Sequence, residues 1–285
     1  MVQKFRGMSI YMKNVYSFLK YLQKTPPSSC RLTKAQITGV ICAVQSGLSG
    51  LSKPVVLRQI AVKNKKVSHV IACDSLNQCR ALASARIPQI LADMTGDDSQ
   101  ELRYRFYGYL CAYIASLYGH RTGVFSHLMV SEVEEARGKI EPDSPVVVVN
   151  VKQHKTNQAF GMAQIYLTRQ EFSWMEQWLD KRALLSPESG HFFVTGCQSP
   201  DRVLLRYLRV TWSEMRLPGK PTFTDIRTAV ATHMKNTHIL EIRSRLAYFM
   251  CHDTSTADRF YAMQANAAQA RETRAYFEQS TCNSE

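Results

Sequence analysis

The stretch that most limits the fold is residues 146–151 (VVVVNV), a β-branched run in a chain whose apolar residues mostly recur at helical spacing. Such a run favours a strand, because branched side chains fit the pleated surface and lose rotamers in a helix. A polar loop at 152–161 and a second short run at 162–167 follow it, which predicts an antiparallel hairpin. Elsewhere the period is helical. Ile10, Val15, Phe18, Leu19 and Leu22 make one stripe over 8–23, stopped by the proline-containing 25–29. Leu102, Phe106, Leu110, Tyr113 and Leu117 make another over 100–118. Thr168 and Glu171 form a capping-box pattern opening a helix with Phe172, Met175 and Leu179 inside. Further helices are expected at about 33–46 (Thr33 as N-cap), 55–62, 75–94, 200–215, 223–236, 241–250 and 264–279. Residues 47–54 read as a loop and 191–194 as an added strand. The expected fold class is mainly α with a small antiparallel β-sheet.

A chain of 285 residues has room for about two domains. Charge marks where they part. Residues 1–96 hold 14 Lys and Arg against two acids, Asp74 and Asp93. Residues 97–285 hold 22 bases and 21 acids, so nearly all of the net +13 lies on the first third. The turn-forming run 95–99 (TGDDS) coincides with that shift. The expected division is a basic helical domain at 1–96 and a near-neutral domain at 97–285. Such asymmetry suggests a polyanion partner, most often nucleic acid; the alternative is a basic surface with no partner.

Other classes are poorly supported. Hydrophobic residues at 45% and charged residues at 21% are globular composition, not disorder. No apolar run approaches the roughly 20 residues of a membrane helix, so no membrane partner is expected. None of the eight cysteines makes a C-x-x-C pair and the histidines fall at no zinc-type spacing, which suggests reduced thiols and no metal site. The sequence has neither a G-x-x-x-x-G-K-[ST] phosphate loop nor a G-x-S-x-G elbow, and no dense carboxylate cluster. ATP-driven and two-metal nuclease chemistry are therefore unsupported, and no cofactor is expected.

What remains is a dispersed set of cations with a tyrosine at the far end. Arg121 ends Tyr118-Gly-His-Arg121, and Lys155 lies in the hairpin turn in Gln153-His-Lys-Thr156. Arg227 lies in Phe223-Thr-Asp-Ile-Arg-Thr-Ala-Val-Ala-Thr-His233. His252 and Tyr261 lie nine residues apart in the run from Met250 to Tyr261. At these residues the chain resembles the tyrosine recombinase (phage integrase) superfamily. Thr224-Asp-Ile-Arg-Thr-Ala-Val-Ala-Thr-His-Met234 is similar to the family's H-x-L-R-H-T-x-A-T-H-L. Met250-Cys-His252 with Phe260-Tyr261 resembles its L-G-H and R-Y, and the order Arg, Lys, Arg, His, Tyr is kept. The likeness covers roughly 100–280 and, more weakly, the helix at 8–23. The wording is most similar to integrases of eukaryotic mobile elements, such as Crypton-like elements. The resemblance implies an α-helical core-binding domain before an α+β catalytic domain, double-stranded DNA as partner, a homotetramer on DNA and a nuclear location. Two positions depart from the family pattern. Thr224 stands where a His or Lys is usual, and Val124 stands where an acid often follows the first Arg.

The chemistry follows from the residue types. Breaking a phosphodiester by direct attack needs a nucleophile, charge neutralisation and a proton for the leaving oxygen. Tyr261 suits the nucleophile that becomes a 3′-phosphotyrosine. Arg121 and Arg227 suit the non-bridging oxygens, since guanidinium offers phosphate a planar fork. His252 suits a hydrogen bond to phosphate or proton management, and Lys155 suits general acid, with Lys152 as competitor. Thr224, Lys13, Lys63, Lys65 and Lys66 are expected to hold DNA phosphates, and His233 reads as structural. Singly, each of these residues has an ordinary structural reading. Two rival functions stand beside the recombinase: a degenerate or domesticated integrase that binds DNA without cutting it, and a type IB topoisomerase.

Overall fold

In the computed structural model, which describes residues 3–67, 70–94, 99–141, 144–185, 189–196, 200–237 and 240–251, the β-branched run does form a hairpin. β1 (Val146–Val151) pairs antiparallel with β2 (Ala163–Thr168), from Val146 opposite Thr168 to Val151 opposite Ala163. Val147, Val149 and Val151 share the buried face with Ala163, Ile165 and Leu167. This is period-two alternation against a core. The rest is helical: α1 (Gln3–Lys24), α2 (Lys34–Val67), α3 (Cys73–Asp93), α4 (Gln100–Tyr118), α5 (Thr122–Ser126) and α6 (Val130–Gly138) precede β1. The short α7 (Asn157–Phe160) lies within the hairpin connection, and α8 (Arg169–Leu184), α9 (Leu204–Glu214), α10 (Phe223–Thr237) and α11 (Leu240–Phe249) follow β2. The described chain is thus mostly helical with a two-stranded antiparallel sheet.

The chain divides into two units, Met1–His69 and Val70–Glu285. In the first, α1 packs along α2. Thr33 caps α2 as expected: its hydroxyl accepts from Gln36 N–H at 3.2 Å and its own N–H donates to the Gln36 side chain at 2.8 Å. The expected loop at 47–54 is instead helix, and α2 runs through Pro54. The small residues that read as breakers are satisfied locally. Ser49 and Ser52 hydroxyls donate to the carbonyls of Gln45 and Ser49, at 3.1 and 2.7 Å. This continuity also changes the membrane reading. Lys34–Val62 is long and apolar enough to cross a bilayer by length and composition, with mean hydropathy 1.4 over its most apolar window. Helical continuity joins apolar stretches that the sequence alone interleaves with Gln, Ser and Gly. The unit carries 12 Lys and Arg and no acid.

The second unit is built around α4, buried from Phe106 to Ser116 and packed against α3, α9 and α10. Gly108 lets α4 and α9 touch: a Cβ there would lie 2.6 Å from the Tyr207 carbonyl oxygen and the Thr211 methyl. α3 belongs to this unit, because Leu76, Cys79, Ala83, Ile87, Ile90 and Leu91 are buried in its core. The division by contacts therefore falls at 69/70, not at the charge shift near 96. A charge shift records surface composition, whereas a unit boundary records where buried contacts cease. Thr168 and Glu171 form the expected capping box of α8. Residues 191–194 make isolated bridges, Met129 to His191 and Val194 to Pro200, rather than a strand. The six described cysteines, at 30, 42, 73, 79, 111 and 251, are free thiols. The helix expected at 264–279 lies outside the described residues.

Candidate active site

The first arginine is placed by the end of α4. Gly119 closes that helix in the left-handed region, with φ +60, and its N–H returns to the Ala115 carbonyl at 2.8 Å. The chain then reverses, His120 turns inward and Arg121 becomes the N-cap of α5. His120 is fully buried and its Nε2 bonds the Gln164 carbonyl of β2 at 3.0 Å. Burial lowers its pKa to about 4, with Arg227 nearby pushing the same way, so the ring is neutral at pH 7. Arg121 Nη1 donates to Thr156 Oγ1 and to the Cys251 carbonyl, both at 3.4 Å.

The second arginine comes from the opening of α10. Thr222 and Asp225 cap that helix: the Thr222 hydroxyl accepts from Asp225 N–H at 3.2 Å, and the Asp225 carboxylate accepts the Thr222 N–H at 2.9 Å. This leaves Thr224 exposed in the first turn and Arg227 facing inward, only 1% exposed. Arg227 Nη1 donates to the Gly119 carbonyl at 2.8 Å, and Nη2 donates to the Met250 carbonyl.

Lys155 is exposed on the β1–β2 connection. His154 braces that turn, with Nε2 on the Gly161 carbonyl at 2.8 Å and Nδ1 facing Thr156 N–H at 3.4 Å. Lys152 is engaged elsewhere: its Nζ pairs with Glu135 at 2.8 Å and its N–H donates to Glu132 at 2.7 Å. That hydrogen-bonded pair raises the Lys152 pKa, and Lys139 and Lys152 together hold the Glu135 carboxyl down to about 2.

These pieces meet. Arg121, Val124, Lys155, Thr224, Arg227 and Cys251 line one pocket of about 310 Å³, together with His154, Phe223, Met250 and the turn at Thr122–Gly123. Val124 is 3% exposed, so the position where an acid often stands in the resembling family is here an apolar wall of the pocket. Cys251 has φ +52, and burial raises its thiol pKa while the two arginines oppose the rise. Among the described residues no cluster of three or more His, Cys, Asp or Glu is placed to hold a metal ion.

No protein-family model and no curated protein matches the chain. Among solved structures it is similar to XerA recombinase, with TM-score 0.42 and 16% identity. The match covers 68% of this chain and 61% of that one, so the chain spans less than two thirds of that protein.

Of the residues singled out from sequence, Arg121, Lys155, Thr224 and Arg227 share the pocket. Lys13 is exposed on α1, in the other unit. Lys63, Lys65 and Lys66 lie on the α2 backbone, and their side chains are outside the described residues. His252 and Tyr261 lie outside them altogether. His233 Nε2 donates to the Ile71 carbonyl at 2.9 Å, a contact inside the second unit. Sequence reading missed His120, His154, Thr156 and Cys251. The first three flank Arg121 or Lys155 directly, and adjacency to a singled-out cation was their signal.

Proposed function

We propose that this protein binds double-stranded DNA and cuts and rejoins it through a covalent phosphotyrosine, as a site-specific recombinase or integrase. The observation that supports this is the convergence of Arg121, Lys155, Thr224 and Arg227, drawn from across more than 100 residues, on one pocket. Guanidinium, ammonium and hydroxyl donors around one cavity suit a dianionic pentavalent phosphoryl transition state. In this reading Tyr261 Oη attacks phosphorus and loses its proton, with His252 managing that proton or bonding a phosphate oxygen. The bond from phosphorus to the 5′-oxygen breaks, and Lys155 gives the leaving oxygen its proton. A second DNA 5′-hydroxyl then reverses the step on the new partner. The phosphodiester energy is kept in the tyrosyl ester, so no nucleotide hydrolysis is required.

The basic first unit holds phosphates and gives affinity rather than sequence information. Four protomers bring two DNA sites together, in a nucleus, as the product of a Crypton-like mobile element. The test is a nicked suicide duplex, which lets the short 5′-product diffuse away and traps the covalent adduct. Wild type should accumulate adduct and Tyr261→Phe should not. An adduct undiminished in Tyr261→Phe defeats the assignment.

One observation favours a second reading, a DNA-binding protein that no longer cuts. Arg227 is almost wholly enclosed and bonds two backbone carbonyls, and an apolar Val124 lines the wall beside Arg121. That reading predicts salt-sensitive DNA binding, unchanged in Tyr261→Phe, with no adduct in either protein.

A further inference from the structure

The hairpin turn does more than carry Lys155. Its Thr156 hydroxyl joins three parts of the pocket that are remote in sequence. Thr156 Oγ1 donates to the Cys251 carbonyl at 3.2 Å and accepts from Arg121 Nη1 at 3.4 Å. Arg121 Nη1 also reaches the same Cys251 carbonyl at 3.4 Å, closing a triangle of turn, arginine and the residue that precedes His252. His154 Nδ1 faces both the N–H and the hydroxyl of Thr156 at 3.4 Å, so the turn's geometry centres on this residue.

We propose that Thr156 is a positioning residue: its hydroxyl latches the Lys155 turn to Arg121 and to the Cys251 carbonyl, fixing where the general acid stands relative to the phosphate. This rests on the reading under Proposed function. Lys155 is exposed, with four rotatable methylenes, on a connection between two strand ends. A general acid works only when its proton lies within hydrogen-bond reach of the leaving oxygen. The neighbouring peptide is the part of the turn that can be fixed, and Thr156 supplies a side-chain hydrogen bond from there to the pocket floor. Misplacing a catalytic group by about 1 Å costs roughly 100-fold in rate.

The test uses the full chain and nicked suicide duplexes of one sequence, selected from a randomised pool by wild-type binding. Two versions are made, with oxygen or sulfur at the bridging 5′ position of the scissile phosphate. A thiolate leaves without a proton, so the sulfur substrate bypasses the general acid. Thr156→Val should slow adduct formation on the oxygen substrate by roughly 10- to 100-fold. It should form adduct at near wild-type rate on the sulfur substrate, with unchanged DNA affinity, and Thr156→Ser should restore the oxygen rate. Equal rates of Thr156→Val and wild type on oxygen overturn the proposal. So does an equal loss on both substrates, which marks a merely structural role. Absence of adduct from the wild type on both substrates defeats the recombinase reading itself, and the proposal falls with it.

Discussion

Arg227 Nη1 donates to the Gly119 carbonyl at 2.8 Å, spanning 108 residues to tie the opening turn of α10 to the end of α4. The bond lands two residues before Arg121. The other terminal nitrogen of Arg227 donates to the Met250 carbonyl, one residue before Cys251, whose carbonyl receives Arg121. One buried guanidinium thus spaces both arginines and the end of α11. The same side chain that suits a phosphate oxygen is also part of the pocket's frame.

Removing it should therefore destabilise the fold. Arg227→Ala leaves the two carbonyls without that donor in a buried place, a loss of roughly 2–5 kcal/mol. Arg227→Lys keeps charge but not the fork, and should fall between. Arg121 is only half-buried and makes longer bonds, so Arg121→Ala should cost about 1 kcal/mol or less. Urea unfolding of the three variants checks this. An Arg227→Ala protein as stable as Arg121→Ala removes the framing role.

Gly119 should not accept a side chain. Its φ of +60 is strained for any residue with a Cβ, and that Cβ would stand 2.6 Å from Met250 Cε and 3.2 Å from Arg227 Cα. The methionine tip can move, but the Arg227 backbone cannot without shifting α10. Gly119→Ala should lose about 1–2 kcal/mol from the left-handed backbone alone. It should also weaken adduct formation through a displaced Arg227. Denaturant midpoints and the suicide-substrate assay measure the two effects separately.

How much of this was legible from sequence differs by length scale. The hairpin, the Thr33 cap and the Thr168–Glu171 capping box are local patterns, and each stands in the structure. The sequence reads a loop at 47–54 where α2 runs on, because Ser49 and Ser52 look like loop residues until their hydroxyls bond the helix's own carbonyls. The pocket's three cations, Arg121, Lys155 and Arg227, and its Thr224 hydroxyl are legible through their order in a family-like motif, not through periodicity. His120, Thr156 and Cys251 act through bonds to residues 35 to 130 positions away, and no local pattern encodes those.

The two hairpin lysines should separate cleanly. Lys155 lines the pocket, whereas Lys152 is exposed and paired with Glu135. In the proposed reaction Lys155→Ala should slow adduct formation by roughly 100- to 10,000-fold, the usual range for a lost general acid. Lys152→Ala removes a surface ion pair, worth about 0–1 kcal/mol, and should leave the rate within a few-fold of wild type. The reverse ranking would hand the acid role to Lys152.

DNA affinity should fall steeply with salt, since the first unit carries 12 cations and no acid. Each phosphate contact contributes about 0.9 to the slope of log K against log salt concentration. Lys13→Ala should flatten that slope by about that amount. Lys139→Ala should not, because Lys139 is already paired with Glu135 at 2.6 Å. Fluorescence anisotropy over a salt series reads both. An unchanged slope for Lys13→Ala takes α1 out of the DNA contact.

His120 gives the pocket an acid limit. Its ring is neutral in the folded state because burial lowers its pKa to about 4, against 6.5 for a solvated histidine. Between those values the unfolded chain binds a proton that the folded chain refuses. Stability from this group is therefore complete above about pH 6.5 and is lost as pH falls toward 4. The loss is on the order of 3 kcal/mol, since each pKa unit is worth about 1.4 kcal/mol. Protonation would place a second cation beside Arg227, in the turn that sets Arg121. His120→Gln keeps an amide donor for the Gln164 carbonyl and cannot titrate. The difference in unfolding free energy between wild type and this variant, measured in urea from pH 4 to 7, should therefore vary with pH. Wild type should gain on the variant as pH rises and level off near neutrality. Parallel curves for the two proteins would show that His120 is solvated or paired on folding, and that the pocket has no acid-sensitive floor.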